Sequence, residues 1–272
     1  RYGVAAAQTL TAAEQALVDG LQGGDVRHEP GLSRAARELA RSAPDGSTVP
    51  GSLVDGVMAW AGLVDPPPRL AVVELPAGGA PCGAQISGSC REALRSVIEA
   101  TRAGLLGSGP RWIGAGAAAQ ADGTTRLVVA VSERGAQIDP FANQVAVGGT
   151  IALKGRLLGK RSAPSLEVVD AEGRWTTLAT RVNRGEFAAQ LRCDRGRGAY
   201  QVELLAEGAY GPEVVANFPV YCGVKAPQSL RVEVERVAAE VSAEDVARSN
   251  FAALNNTRAR QGLAALQWDN AA

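Results

Sequence analysis

The sequence predicts an α+β fold. A mixed helix-and-strand half occupies residues 1–137, an all-β antiparallel sandwich follows over 141–223, and a helix closes the chain after a 224–241 linker. Three observations carry this reading. Helical periods with capping signals alternate with apolar strand runs in the first half. From residue 141 those periods vanish, and short alternating runs punctuated by Gly and Asp replace them. After Ser242 a single amphipathic pattern returns.

In order along the first half, Thr11-x-x-Glu14 is a capping box that opens a short helix to about Gly20. Leu32, Ala35, Ala36, Leu39 and Ala40 give the period of a second helix. Ser52-x-x-Asp55 opens a third, through Leu53, Val57, Met58, Trp60 and Ala61, and Pro66-Pro67-Pro68 stops it because proline lacks the N–H a helix needs. Leu70–Leu75 is a buried-strand run. Ser89-x-x-Glu92 opens a fourth helix with Leu94, Val97 and Ile98 inward. Arg111–Ala119 and Arg126–Val131 are strands joined at the Asp122-Gly123 turn.

In the second half, Ile151/Leu153, Leu166/Val168, Phe187/Ala189/Leu191, Tyr200/Val202/Leu204 and Phe218/Val220/Cys222 alternate at the spacing of an antiparallel sandwich. A hinge is expected at Val224–Gln228, then a charged run over Arg231–Arg236. Ser242-x-x-Asp245 caps the last helix, with Val246, Ala247, Phe251 and Leu254 as its stripe and Gly262 at its C-terminal turn.

Composition narrows the function classes. Of 272 residues 46% are hydrophobic, enough for two domains with real cores. Lys+Arg and Asp+Glu both number 28, so net charge is zero, which argues against nucleic acid as partner. No apolar run reaches ~18 residues, so no transmembrane helix is expected. The chain opens on Arg1 rather than Met, and a processed or truncated product is expected. The cysteines Cys82, Cys90, Cys193 and Cys222 contain no CxxC pair, which argues against a zinc ribbon or redox motif. Their even number and local spacing predict disulfides 82–90 and 193–222, and hence an oxidising compartment: secreted, periplasmic or cell surface.

Two stretches carry family resemblances. Gly198–Leu204 resembles the penultimate strand of a bacterial immunoglobulin-like domain. At the C-terminus, Asn255, Arg258-x-Arg260, Gly262-Leu263 and Leu266-x-Trp268-Asp269 resemble the first helix and loop of the CAP superfamily, the cysteine-rich secretory proteins and their bacterial SCP-like relatives. The first half resembles a degenerate copy of the same family. Glu29-Pro30, Leu32 and Ala35-Ala36 match its second helix, and Arg102, Leu105, Leu106 and Ile113-Gly114-Ala115-Gly116 match its helix end and following strand. The resemblance implies a CAP-like α-β-α sandwich, then an immunoglobulin-like sandwich, then the start of a second CAP-like unit. It also implies a groove at Glu74, Thr101 and Gly104. The family's histidine falls on Thr101 and its asparagine on Gly104, while the glutamate of its glycine–glutamate–asparagine strand survives as Glu74. With His28 the chain's one histidine, placed in the loop before the second helix, neither metal nor cofactor is expected in the first half.

Other motifs read structurally. Gly114-x-Gly116-x-x-Ala119 fits a loose dinucleotide fingerprint but leads into another strand, so these are glycines packed against a helix. Gly155-x-x-x-Gly159-Lys160-Arg161-Ser162 has the wrong spacing for a phosphate loop and reads as a sheet-edge turn with solvated charges. No Gly-x-Ser-x-Gly elbow occurs, and nothing in the sequence places a serine beside His28. Paired carboxylates would need Glu74, Asp55 and Asp65 to converge. Trp60, Trp112, Trp175 and Trp268 read as core or edge packing. Asn255-x-Thr257 fits a glycosylation sequon but lies mid-helix in an Ala-, Arg- and Gly-rich composition of bacterial character.

The expectation is a secreted or cell-envelope binding or adhesion protein without catalysis, presenting its groove to a lipid, glycan or protein ligand. Its C-terminal helix docks on a neighbouring domain or chain. The alternative is a hydrolase whose metal or acid site lies in a C-terminal unit beyond residue 272.

Overall fold

A computed structural model describes residues 9–44, 49–76, 82, 86, 88–106, 110–232, 242–260 and 262–269. The chain forms two compact units, Arg1–Val232 and Glu233–Ala272, each taken by itself.

The first part of the larger unit runs α1 (Ala12–Leu21), β1 (Val26–His28), α2 (Pro30–Ser42), α3 (Gly51–Trp60), β2 (Arg69–Leu75), α4 (Gly88–Thr101), a π-helical turn (Arg102–Leu106), β3 (Arg111–Ala119) and β4 (Thr125–Ser132). The Thr11/Glu14 capping box is present. The box expected at Ser52 and Asp55 does not form. Helix α3 starts at Gly51 behind Pro50 with no side-chain cap, which leaves the Asp55 carboxylate free of the helix end.

The sheet order is β1-β3-β4-β2, with β1 parallel to β3 and the other neighbours antiparallel. Strand side chains alternate between faces, and the cores follow that alternation. Leu127, Val129 and Val131 pack with α1 and α4, whereas Val128 and Ala130 pack with α2 and α3. Helices therefore cover both faces, in three layers. At Gly114 an added Cβ would lie 2.2 Å from the Leu32 carbonyl carbon, and at Gly116 2.1 Å from the Arg37 nitrogen. These glycines let α2 approach the backbone of β3, as the sequence suggests.

Strand β1 covers β3 at Arg111–Ile113, and among the described residues no strand pairs with that edge of β3 beyond it. Side chains close that edge. The Ala115 N–H donates to Ser33 Oγ (3.1 Å) and the Ala117 N–H to Glu14 Oε1 (3.1 Å). Glu14 is fully buried and also accepts from the Thr11 N–H and from Arg37.

The second part comprises β5 (Ala136–Ile138), β6 (Gln144–Val145), β7 (Thr150–Leu157), β8 (Ser162–Val169), β9 (Trp175–Leu178), β10 (Arg181–Asn183), β11 (Glu186–Arg192), β12 (Gly198–Gly208) and β13 (Gly211–Cys222). Two sheets face each other, β10-β11-β7-β5 and β6-β13-β12-β8-β9. The leading segment contributes to both: β5 joins the first sheet, and β6 pairs parallel to β13 in the second. Alternate residues from both sheets fill one core, including Leu153, Leu166, Leu191, Val202 and Phe218. Tyr200 lies near the start of β12; its hydroxyl donates to Gly196 O (3.1 Å) and accepts from the Arg195 N–H (2.9 Å), forming the tyrosine corner of immunoglobulin-like domains. Strand order and corner together make this an immunoglobulin-like sandwich. It begins at Ala136, so Ala136 and Gln137 belong to it rather than to the 1–137 half.

In the smaller unit, α5 (Ala243–Arg260) is capped by Ser242 and Asp245, which exchange backbone hydrogen bonds. Gly262, at φ +68°, ends it, and the Leu263 N–H reaches back to Arg258 O (2.9 Å). Residues 263–269 fold back along the helix. Asn255 brackets Leu266, accepting from its N–H (2.8 Å) and donating to its carbonyl (3.1 Å). Arg258 Nε donates to Ala264 O (2.8 Å), and Phe251 meets Trp268 edge-on at 5.1 Å. The sequon residue Asn255 is thus engaged by the folded-back segment.

Candidate functional site

Charged clusters gather at the seam between the two parts of the larger unit, the first within the helix–sheet half and the second crossing to the sandwich. Arg134, just after β4, forms a two-pronged pair with Asp65 (2.9 Å to each oxygen) and a further bond to Glu29 (3.1 Å). Its guanidinium lies 5.0 Å from the centre of the Trp112 ring. Burial alone would lower the Arg134 pKa, but the hydrogen bonds and charges of Asp65 and Glu29 outweigh it and raise it. A second chain of pairs runs from Arg111 of β3 to Glu133 (3.0 Å), from Glu133 to Arg161 (3.2 Å), and from Arg161 to Glu213 of β13. Arg161 belongs to the turn expected to carry solvated charges; its side chain is instead 15% exposed and held by these carboxylates. Val64 completes the join, packing on the sandwich core while its carbonyl accepts from the Asn217 N–H (2.8 Å).

This junction fixes one wall of a cleft, about 680 Å³, between α3 and strands β12 and β13. From α3 come Leu53, Asp55, Met58 and Trp60; from the sandwich come Gln201, Asn217, Pro219 and Tyr221. Segment 226–230 closes a further side. Leu230 sits on Gly56, where an added Cβ would meet its Cδ2 at 2.2 Å, and Val232 packs with the α2–α3 core. The part of the expected 224–241 linker that the structure describes thus lies along α3. Residues 233–241, with most of the charged run, fall outside the described residues.

The cleft is polar where the sandwich faces it. Gln201 Nε2 donates to Asn217 Oδ1 across β12 and β13. Tyr221 has its hydroxyl pKa raised by burial. Trp60 is 49% exposed, and the Arg34 guanidinium stands 4.9 Å from its ring centre. Glu38 accepts from Ser42 Oγ (2.8 Å), and Asp65 is committed to Arg134. Asp55, although exposed, has its carboxyl pKa raised by desolvation, and among the described residues no hydrogen bond or ion pair engages it. Of the carboxylates considered from sequence, Asp55 and Asp65 line this cleft, and Glu74 does not.

Glu74, Thr101 and Gly104 do not line a common groove. Glu74 accepts from Arg126 (2.9 and 2.7 Å), whose other nitrogen reaches Ala43 O at the end of α2. It therefore lies on the α2–α3 face. Thr101 ends α4 on the opposite face, fully buried, with Oγ1 unpaired among the described residues. Gly104 is exposed in the π-helical turn.

His28 is not in a loop. It ends β1, half-buried, with Nε2 2.9 Å from Ser33 Oγ. Ser33 is 3% exposed and accepts from Ala115, so the pair closes a sheet edge rather than presenting a nucleophile. Among the described residues no group of His, Cys, Asp and Glu is placed to hold a metal.

Both expected disulfides are present, Cys82–Cys90 and Cys193–Cys222. Most of the loop between Cys82 and Cys90 falls outside the described residues. Among the described residues no helix is long and apolar enough to cross a membrane.

No protein-family model and no curated protein matches the chain. Slight likenesses exist among solved structures. A DUF4785 family protein from Legionella pneumophila matches 36% of this chain at 11% identity, TM-score 0.26. CopC from Methylosinus trichosporium matches 33% at 16% identity, TM-score 0.23, over 97% of its own length. The tandem Ig repeats of Dlar match 59% at 15% identity, TM-score 0.22, over 84% of their length. The chain spans 32% of the length of the first of these. At such scores the likenesses carry no argument, and the immunoglobulin-like assignment rests on strand order and the Tyr200 corner.

Proposed function

We propose that this chain is a non-catalytic binding protein of a secreted or cell-envelope compartment, taking its ligand in the cleft between α3 and the sandwich. The observation that carries the reading is the cleft's construction: two parts joined through the Arg111–Glu133–Arg161 pairs and the Val64–Asn217 hydrogen bond enclose about 680 Å³. Its lining of amides, an exposed tryptophan and prolines suits recognition. The disulfides favour an oxidising compartment.

We further propose that the first half is a CAP-like domain without its family's imidazoles, and that the C-terminal unit opens a second one. Helices on both faces of a β1-β3-β4-β2 sheet support the first reading. For the second, the residues that carry the resemblance, Asn255 and Arg258, are those that fold 263–269 onto α5. A groove at Glu74, Thr101 and Gly104 has no support from their placement, so the ligand surface is assigned to the cleft.

The test is a panel of lipid vesicles, oligosaccharides and peptides followed by amide chemical shifts. Saturable shifts confined to α3, β12, β13 and residues 226–230 are expected. Turnover of a panel member by this chain would overturn the reading. Stoichiometric zinc with hydrolytic activity in a polypeptide extending past Ala272 would favour the hydrolase alternative.

A further inference from the structure

We infer that the ligand of the cleft is a peptide segment in extended conformation carrying a lysine or arginine. The inference rests on the assignment of the cleft as the binding surface and adds the chemistry of what it takes.

Among the described residues no lysine, arginine or histidine lines the cleft, while Glu38, Asp55 and Asp65 do. Arg134 neutralises Asp65, and Glu38 has Ser42 and, more distantly, Arg41 at 3.8 Å. Asp55 is left with no charge partner among the described residues, and the half-exposed Leu230, seated on the neighbouring Gly56, lines the same cleft. A ligand cation placed there supplies the missing charge, and the exposed Leu230 suits the aliphatic stem of a long basic residue.

The remaining lining fits a peptide backbone. The Gln201–Asn217 amide pair offers donors and acceptors at adjacent positions of one sheet face. Helix α3 has 10 residues and is about 15 Å long, the reach of roughly four to five extended residues. A sugar is the poorer fit, because the Trp60 ring it would stack on already carries the Arg34 guanidinium.

The experiment titrates residues 1–232 joined to their natural C-terminal unit, as the full chain, with acetyl-Gly-Lys-Gly-Lys-Gly-amide. Parallel titrations use the glutamine-for-lysine peptide, a glutamate-for-lysine peptide and chitotetraose, read by calorimetry and amide shifts. The lysine peptide is expected to shift α3, β12 and β13 and to lose affinity as salt rises. Asp55→Asn is expected to weaken it about five-fold with the fold intact, because Asp55 has no partner to lose. Equal binding of the glutamine peptide, or affinity unchanged in Asp55→Asn, overturns the inference. If only chitotetraose or the acidic peptide shifts the cleft, the ligand class is overturned while the cleft remains the binding surface. If no probe shifts it, both readings fall.

Discussion

Glu14 of α1 and Arg37 of α2 form an ion pair around the open edge of β3, tying together helices that cover opposite faces of the sheet. Glu14 also accepts from the Ala117 N–H of that edge. One carboxylate thus caps a helix, closes a strand edge and joins two layers.

That arrangement predicts a steep dependence on Glu14. Glu14→Ala removes the carboxylate that Arg37 and the Ala117 N–H share, leaving Arg37 its bond to Thr9 O, and is expected to cost about 3 kcal/mol in urea unfolding. Burial would raise the Glu14 pKa, but the hydrogen bonds from Arg37, Thr11 and Ala117 outweigh it and lower it from 4.5. A lowered folded value means its contribution is whole above 4.5 and is lost as pH falls from there through the folded pKa. Glu14→Gln should flatten that acid limb.

His28 predicts a second, separate pH window. Burial lowers its pKa from 6.5, against the opposing charge of Glu29. Above 6.5 both folded and unfolded states hold neutral imidazole; as pH falls below 6.5 the unfolded chain takes the proton first and stability drops until the folded value is passed. Thermal melts between pH 7.5 and 5 should show this decline, and His28→Gln should remove it.

The helix–strand approach at Gly114 and Gly116 predicts intolerance of a single methyl. An added Cβ meets α2 backbone, which cannot swing aside as a side chain can. Gly114→Ala is expected to cost about 3 kcal/mol or more, measured by urea unfolding. Gly104→Ala, in open space, is the control and should cost little.

The disulfides predict no free thiols under denaturing, non-reducing conditions. Separations of 29 and 8 residues give loop-entropy contributions of about 3.6 kcal/mol for Cys193–Cys222 and about 2.5 kcal/mol for Cys82–Cys90. Single Cys→Ser pairs measured in urea should rank in that order. Four titratable thiols would end the reading of an oxidising compartment.

Local patterns were legible in the sequence. Alternating apolar residues marked β11, β12 and β13, the Thr11–Glu14 box marked α1, and Gly114-x-Gly116 marked close packing, because each signal lies within a few residues. What the sequence hid was long-range charge. Arg111, Arg134 and Arg161 look like solvated residues, and no period announces that Asp65, Glu29, Glu133 and Glu213 await them. His28 and Ser33, five apart, lie on different element types, so no helical or strand repeat brings them together. The cleft was hidden for the same reason. Gln201 and Asn217 read as outward positions of β12 and β13, and only the junction makes that outward face an inner wall.

The central claim is that the junction holds the helix–sheet half and the sandwich as one body, so that the cleft is a standing site. Residual dipolar couplings of residues 9–232 in a weakly aligned sample test it most directly. A single alignment tensor should fit amides of α2, α3 and β4 together with those of β7, β12 and β13, and Arg161→Ala, which breaks the bridge from the sandwich to Glu133, should split it into two. Two tensors in the unaltered chain would contradict the account.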